Sequence, residues 1–160
     1  MFKVSFKEKD NCPSKIVEKA GRVTTVMYKG SVALPKFWWY LPHEITEWMK
    51  MRESVELYEN VASNELTIFA RGRTRCAEGD AYDSMLGERI AEAKAKMVIY
   101  GFFAGLCQKI FDYYNNLLTG DDYKYLPGTE KGIVGDIKKY HRLCEIEREH
   151  INKLLNNGSE

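Results

Sequence analysis

The sequence has little net charge and no long hydrophobic run. Its 24 lysines and arginines nearly balance 23 aspartates and glutamates, so the formal net charge is +1. No global positive field therefore indicates a nucleic-acid or membrane partner, and any anion-binding site must be a local arrangement. The longest apolar run, "MVIYGFFAGLC" at 97–107, is shorter than the roughly 20 residues that a membrane-spanning helix needs. We expect no membrane partner.

Cysteines are few and scattered. Cys12, Cys76, Cys107 and Cys144 lie far apart, and no two have the C-x-x-C spacing of metal and redox motifs. The first residues, "MFKVSFKEKDN", include lysines but no apolar segment of the kind found in secretory signal peptides. Both absences predict free thiols and a cytoplasmic protein.

The motifs of catalysis and metal binding are also missing. The sequence has no nucleophile elbow, no P-loop and no H-E-x-x-H motif. His141, Cys144 and His150 share one predicted helix, but zinc needs four convergent ligands, and Cys144 falls on that helix's apolar stripe. Asp80 and Asp83 could form a carboxylate pair, although turn and helix-capping roles explain both. We predict no enzyme activity, no catalytic residue, no metal and no cofactor.

The first half of the chain has the patterns of β-strands. Hydrophobic residues alternate with polar ones, or β-branched residues cluster, in the segments 2–7, 22–28, 54–61 and 66–76. The last two segments flank "ASNE", which predicts a hairpin with Val61 opposite Leu66. A short helix is predicted over 43–50.

The second half has the pattern of helices. Good helix formers without proline predict a long helix over 83–118, with Asp83 as its N-cap. A one-sided apolar stripe predicts a second helix over 131–156. With residues 1–78 mainly in strands, the predicted fold class is α+β. We expect a single domain, 1–160, in which an N-terminal antiparallel sheet of about four to five strands precedes a long C-terminal helical hairpin.

The strand "LTIFARGRTRC" carries arginine at every second position, 71, 73 and 75. Strand side chains alternate between faces, so these three guanidinium groups share one face and repel one another. In the predicted register Arg71 lies opposite Glu56, whereas Arg75 lies opposite Arg52. The pattern is typical of a solvated face with one ion pair, or of a phosphate site. A phosphate site would combine arginines that bind in a bidentate way with the free N–H groups at the start of a helix. Its candidate residues are Arg52, Arg71, Arg73, Arg75 and the helix start near Asp83.

Aromatic residues near this strand could stack on a base. Phe69 falls on the arginine face, and alternation in the run "FWWY" at 37–40 puts Trp38 and Tyr40 on one side. Large aromatic residues mostly serve burial, so a core or an oligomer interface also explains the run. The candidates for base stacking are Phe69, Trp38 and Tyr40.

The apolar stretch 97–107 is hydrophobic on all sides of a helix, which a helix with one buried side does not need. Gly101 and Gly105 form a small-xxx-small pair that lets another backbone approach. Burial by the sheet and the second helix is the alternative. We predict a homo-oligomer whose interface includes Gly101, Gly105, Phe102 and Phe103.

Residues 72–96, "GRTRCAEGDAYDSMLGERIAEAKAK", resemble a motif of small bacteriophage and prophage proteins of unassigned function. The matching positions are Gly72, Cys76, Asp80, Tyr82, Asp83, Gly87, Ile90 and Ala91. The order of sheet and helical hairpin is also similar to that of phage Thoeris anti-defence proteins. Those proteins are oligomers that bind cyclic ADP-ribose-like signals, and some bind cyclic oligonucleotides.

These resemblances imply a phage-encoded protein in the cytoplasm of an infected or lysogenic bacterial host. The leading hypothesis is an anti-defence homo-oligomer that sequesters a phosphate-bearing, cyclic nucleotide signal without chemistry. The alternative is a macromolecule-binding phage protein that contacts nucleic acid, or a host nuclease or regulator, through the same basic face.

Overall fold

The computed structural model describes residues 1–6, 14–81, 83–117 and 129–157. Cys12 and Tyr82 lie outside these ranges, and so does Lys7, the last residue of one predicted strand. Residues 118–128, where one predicted helix ends and the next has not begun, are outside them too.

The strands lie in the first half of the described chain and the two long helices in the second, as predicted. The strands are β1 Lys15–Ala20, β2 Val23–Ala33, β3 Val55–Asn60 and β4 Glu65–Arg75. The helices are α1 His43–Lys50, α2 Ser84–Leu117 and α3 Thr129–Asn157, together with a short 3-10 helix at Lys36–Tyr40. The strands form one antiparallel sheet in the order β1–β2–β4–β3, and α2 packs against β2, β4 and α3. The predicted α+β class is confirmed.

Gly72, in the middle of the long β4 strand, sets the distance between the sheet and α2. A Cβ atom on Gly72 would overlap the carbonyl oxygen of Ala91 and lie 2.6 Å from the amide nitrogen of Ala95. Both alanines are fully buried. Glycine on the strand and alanine on the helix therefore let the two backbones come into contact, and neither backbone can move aside as a side chain could.

The apolar stretch of α2 is wrapped by the rest of its own chain. Phe102 and Phe103 are 6% and 0% exposed, and Trp48 of α1 stacks on Phe102 with ring centroids 5.8 Å apart. Gly105 makes room for Trp48, because a Cβ there would lie 3.0 Å from its ring. The sheet, α3 and Trp48 together explain the all-round hydrophobicity. The structure does not place Phe102 and Phe103 on the surface, as an interface requires; Gly101 is exposed.

The start of the chain is not the regular strand predicted over residues 2–7. Ser5 alone pairs with a strand, through two hydrogen bonds of 2.9 and 2.8 Å with Ser31. Phe2 is instead fully buried. Its N–H donates to the carboxylate of Asp136 at 2.6 Å, and its carbonyl accepts from the Tyr140 hydroxyl at 2.6 Å. The backbone of Phe2 is therefore hydrogen-bonded to α3, whereas in a regular strand it would be hydrogen-bonded to the sheet.

Strand β1 was not predicted, because its covered side carries lysines rather than an apolar series. Lys15 lies 3.0 Å from Glu88 and 3.2 Å from Glu92 of α2, and Lys19 lies 3.4 Å from Glu88. The hydrogen bond from Lys15 lowers the pKa of Glu88. Ion pairs thus attach this edge strand to the helix. Because lysines occupy positions where a half-buried strand usually has hydrophobic residues, the sequence shows no alternation that would predict the strand.

The predicted hairpin is confirmed, with its register shifted by two residues. Leu66 lies opposite Glu59 rather than Val61, and Ala70 lies opposite Val55. Residues 61–64 form the connection, in which Asn64 adopts a left-handed conformation at φ 53°. A shift of two residues keeps every side chain on its predicted face.

We expect Gly72→Ala to destabilise the fold by about 3 kcal/mol, at the upper end of overpacking costs, because the new methyl group meets backbone atoms. Gly101→Ala is the control. Gly101 lies in α2, the helix that packs on Gly72, at a position where an added Cβ meets nothing within 4 Å. Because alanine has a higher helix propensity than glycine, this substitution should stabilise the protein by about 0.5–1 kcal/mol. Urea denaturation of both variants measures the difference, and equal stability of Gly72→Ala and the native protein would contradict the packing argument.

Candidate functional site

One face of the sheet is covered by α2, and within the described residues no helix or strand packs on the other. We call the uncovered side the open face. Its side chains come from alternate positions of all four strands: Ile16, Glu18 and Ala20 on β1; Val23, Thr25, Met27, Lys29 and Ser31 on β2; Glu65, Thr67, Phe69, Arg71, Arg73 and Arg75 on β4; Glu56, Tyr58 and Asn60 on β3.

The three arginines of β4 lie on the open face, as predicted, and all are exposed. Arg71 pairs with Glu56 at 3.7 Å, with 67% and 55% of their side chains exposed. Arg73 and Arg75 lie beside the neutral Thr25 and Val23 of β2, and within the described part of the chain neither has a carboxylate within 4.0 Å. The sheet therefore presents one paired and two unpaired guanidinium groups in a row.

Arg52 does not join this row, so the predicted pairing of Arg52 with Arg75 is wrong. Strand β3 begins only at Val55, and the guanidinium carbon of Arg52 lies 4.4 Å from the ring centroid of Trp48. Since Trp48 packs on α2, Arg52 is turned toward the covered side of the sheet. A cation on an aromatic face is stabilised by the ring's quadrupole, which explains where this side chain goes.

Two aromatic side chains share the open face with the arginines. Phe69 is half-buried and meets Tyr58 edge to face, with ring centroids 5.6 Å apart. Tyr58 is 58% exposed. The two rings border a shallow depression of about 410 Å³ that also includes Met27, Lys29 and Thr67. Tyr58 was not among the predicted site residues, although the hairpin pattern already put it on the face of Phe69.

The other two aromatic candidates lie elsewhere. The "FWWY" run forms a 3-10 helix rather than a strand, so the predicted alternation is wrong. Trp38 is 4% exposed and donates its indole N–H to Glu59 at 3.2 Å, which makes it a core residue. Tyr40 is 83% exposed, but its neighbour Trp39 is hydrogen-bonded to Asn64. Asn64 is nine residues from Arg73, about 30 Å along an extended strand.

The start of α2 is already capped. As predicted, Asp83 is the N-cap: its carboxylate accepts hydrogen bonds from the amides of Met85 at 2.9 Å and Leu86 at 3.0 Å, and its carbonyl accepts from Gly87. These amides are satisfied, and a negative charge lies beside them. The geometry does not support the expectation that they would also hold a phosphate.

A cavity of about 500 Å³ lies between the end of the sheet and the start of α2. Arg75 lines it at one side, and Arg22 lines it while donating a hydrogen bond to the carbonyl of Ala77. Asp80 and Asp83 contribute opposite charges, so the cavity has no dominant sign. The buried hydroxyl of Thr74, which is also in the lining, has no hydrogen-bond partner in the described part of the chain.

The described cysteines are free thiols in different surroundings. Cys76 is half-buried, with its sulfur 3.6–3.8 Å from the carbonyl oxygens of Ala77, Asp80 and Ala81. Cys107 is fully buried, and burial raises its pKa to about 12. Burial also raises the pKa of Cys144. The described residues contain no cluster of histidine, cysteine or carboxylate side chains suited to a metal ion.

No described helix is both long enough and apolar enough to cross a membrane. Comparisons with protein-family models, curated proteins and solved structures find no match to this chain.

We expect the thiols to react in the order of their burial. In a Cys12→Ser background, which removes the cysteine outside the described residues, Ellman's reagent should modify Cys76 first and Cys107 only after unfolding, because a buried neutral thiol is a poor nucleophile. Denatured native-sequence protein, never exposed to reductant, should show all four thiols. Rapid modification of Cys107 in the folded protein would contradict its burial, and a titre of two thiols would indicate a disulfide.

Proposed function

We propose that this protein binds a phosphate-bearing nucleotide on the open face of its sheet and holds it without chemistry. The observation that carries the proposal is the row of Arg73 and Arg75, exposed and without carboxylate partners, on the same face as the Phe69–Tyr58 ring pair. Guanidinium groups bind phosphate through paired charge-assisted hydrogen bonds, and exposed rings stack on bases.

The spacing along β4 supports this combination. Positions two residues apart on a strand are about 6.7 Å apart, so Arg71 lies about 7 Å and Arg73 about 13 Å from Phe69. A nucleotide with its base on the Phe69 and Tyr58 rings can therefore direct its phosphates toward the arginines. Lys29, the cross-strand neighbour of Phe69, adds a positive charge beside the base.

The proposed biological role is sequestration of a cyclic nucleotide signal by a phage-encoded anti-defence protein. Its support is the resemblance of residues 72–96 to phage proteins and the likeness of the overall layout to signal-sequestering ones. A protein that acts by sequestration needs no catalytic group. The proposed homo-oligomer would have to use residues other than Phe102 and Phe103.

We expect Arg73→Ala and Arg75→Ala to keep or raise the melting temperature of the ligand-free protein, since each removes a repelling charge and no ion pair. Each should also weaken nucleotide binding by about 1.5–3 kcal/mol, the range for hydrogen bonds to charged groups. Thermal shift with cyclic ADP-ribose and cyclic dinucleotides measures both effects.

The matched control is the double variant Arg142→Ala/Arg148→Ala, which removes two exposed arginines from α3, on the other side of the sheet. It should leave ligand-induced stabilisation unchanged. If Arg73→Ala and Arg75→Ala instead melt lower without ligand and bind as before, the arginines stabilise the fold and the proposal is wrong. Native mass spectrometry of the purified protein would report any retained small molecule and the number of subunits.

A further inference from the structure

The shape of the open face is that of a surface rather than a pocket. Sites for small molecules are concave and bury most of the ligand. Arg71 and Glu56 border a recess of only about 160 Å³, and the depression at Phe69 and Tyr58 is shallow. The cavity of about 500 Å³ that Arg75 lines lies between the end of the sheet and the start of α2 and contains charges of both signs. A ligand that gains affinity here must touch several separate points, and a polymer can touch more of them at once than a single nucleotide can.

Charge on this face is concentrated around the arginines. Between the rows of Phe69 and Arg75 the open face carries four cations, Lys29, Arg71, Arg73 and Arg75, and two carboxylates, Glu18 and Glu56. Glu56 is already paired with Arg71. The local field is therefore positive although the whole chain is nearly neutral, and its sign complements a phosphate backbone.

The geometry of the row fits a strand of nucleic acid more closely than an isolated phosphate. The arginines form a straight series with a step of about 6.7 Å, which is on the order of the length of one nucleotide in an extended chain. The ring pair continues the same line at its Phe69 end. Aromatic side chains on a flat sheet can stack only on unpaired bases, because the faces of paired bases are occupied within a duplex.

We propose that the open face binds single-stranded nucleic acid, with backbone phosphates on Arg71, Arg73 and Arg75 and bases on Phe69 and Tyr58. This inference rests on the phosphate and base contacts of the proposed function, and it assigns them to a polymer in place of a cyclic nucleotide. The salt dependence of binding is part of it: each phosphate contacted on a single strand should contribute about −0.7 to the slope of log K against log salt concentration.

Fluorescence anisotropy with labelled 12-nucleotide oligo(dT) and oligo(U) tests the proposal, with a 12-base-pair duplex and with dTMP, UMP and cyclic ADP-ribose as competitors. We expect the single strands to bind at least tenfold more tightly than the duplex or any mononucleotide. Arg73→Ala and Arg75→Ala should each weaken binding about tenfold and reduce the salt slope by about 0.7. Tyr58→Ala should weaken binding about tenfold and leave the salt slope unchanged. Tyr58→Phe, which keeps the ring, should bind as tightly as the native protein.

The Arg142→Ala/Arg148→Ala variant again separates the open face from a general effect of net charge, and it should bind the single strands normally. Arginine-dependent binding of a mononucleotide or cyclic nucleotide as tight as that of the 12-mers would overturn this inference and leave the proposed function intact. Equal affinity for duplex and single strand, with no effect of Tyr58→Ala, would also overturn it. Failure of every nucleotide and oligonucleotide to bind would overturn both proposals.

Discussion

The contact between Gly72 and the backbone of α2 is the constraint on which the rest of the structure depends. At Gly72, β4 and the helix meet without an intervening side chain. The covered face has no room for a long side chain at this point, and the neighbouring Arg71 and Arg73 project to the open face. Other residues of the segment 72–91 support the contact between the sheet and α2. Asp83 caps the helix, and Gly87 packs closely on β2, since a Cβ there would lie 3.2 Å from the Thr24 hydroxyl. Residues of this segment therefore pack a strand against a helix.

Positively charged side chains on the two faces of the sheet have different surroundings. On the covered face Lys15 and Lys19 are paired with carboxylates of α2, since an unpaired charge in a partly buried position is costly. On the open face Arg73 and Arg75 are exposed and have no carboxylate partner among the described residues. This has little cost to stability, because an exposed ion pair contributes at most about 1 kcal/mol. Folding alone does not call for three arginines in a row, and this is the observation on which the proposed ligand site rests.

The long helix illustrates how a hydrophobic pattern can mislead. Its apolar residues surround the helix axis, a pattern that predicts contact on every side but does not say with what. In the structure the sheet, α3 and the Trp48 side chain of α1 supply those contacts within one chain. The room that Gly105 leaves is occupied by the Trp48 ring of the same chain. An oligomer would need a different surface, and the exposed Gly101 alone does not provide one.

Periodicity along the sequence determined the α+β class, strands β2, β3 and β4, all three helices, the N-cap at Asp83 and the shared face of Arg71, Arg73 and Arg75. These features depend on the alternation of strand side chains, on helix propensity and on capping, which act between near neighbours in the chain. Tertiary structure alone decided the ion-paired strand β1, the burial of Phe2 against α3, the hairpin register and the turn of Arg52 toward Trp48. The first two rest on contacts between elements distant in sequence, and the hairpin register depends on a backbone conformation, that of Asn64, which composition and period do not specify. Arg52 is only four residues from Trp48, but it lies outside the sheet because β3 begins at Val55, which the period did not specify either.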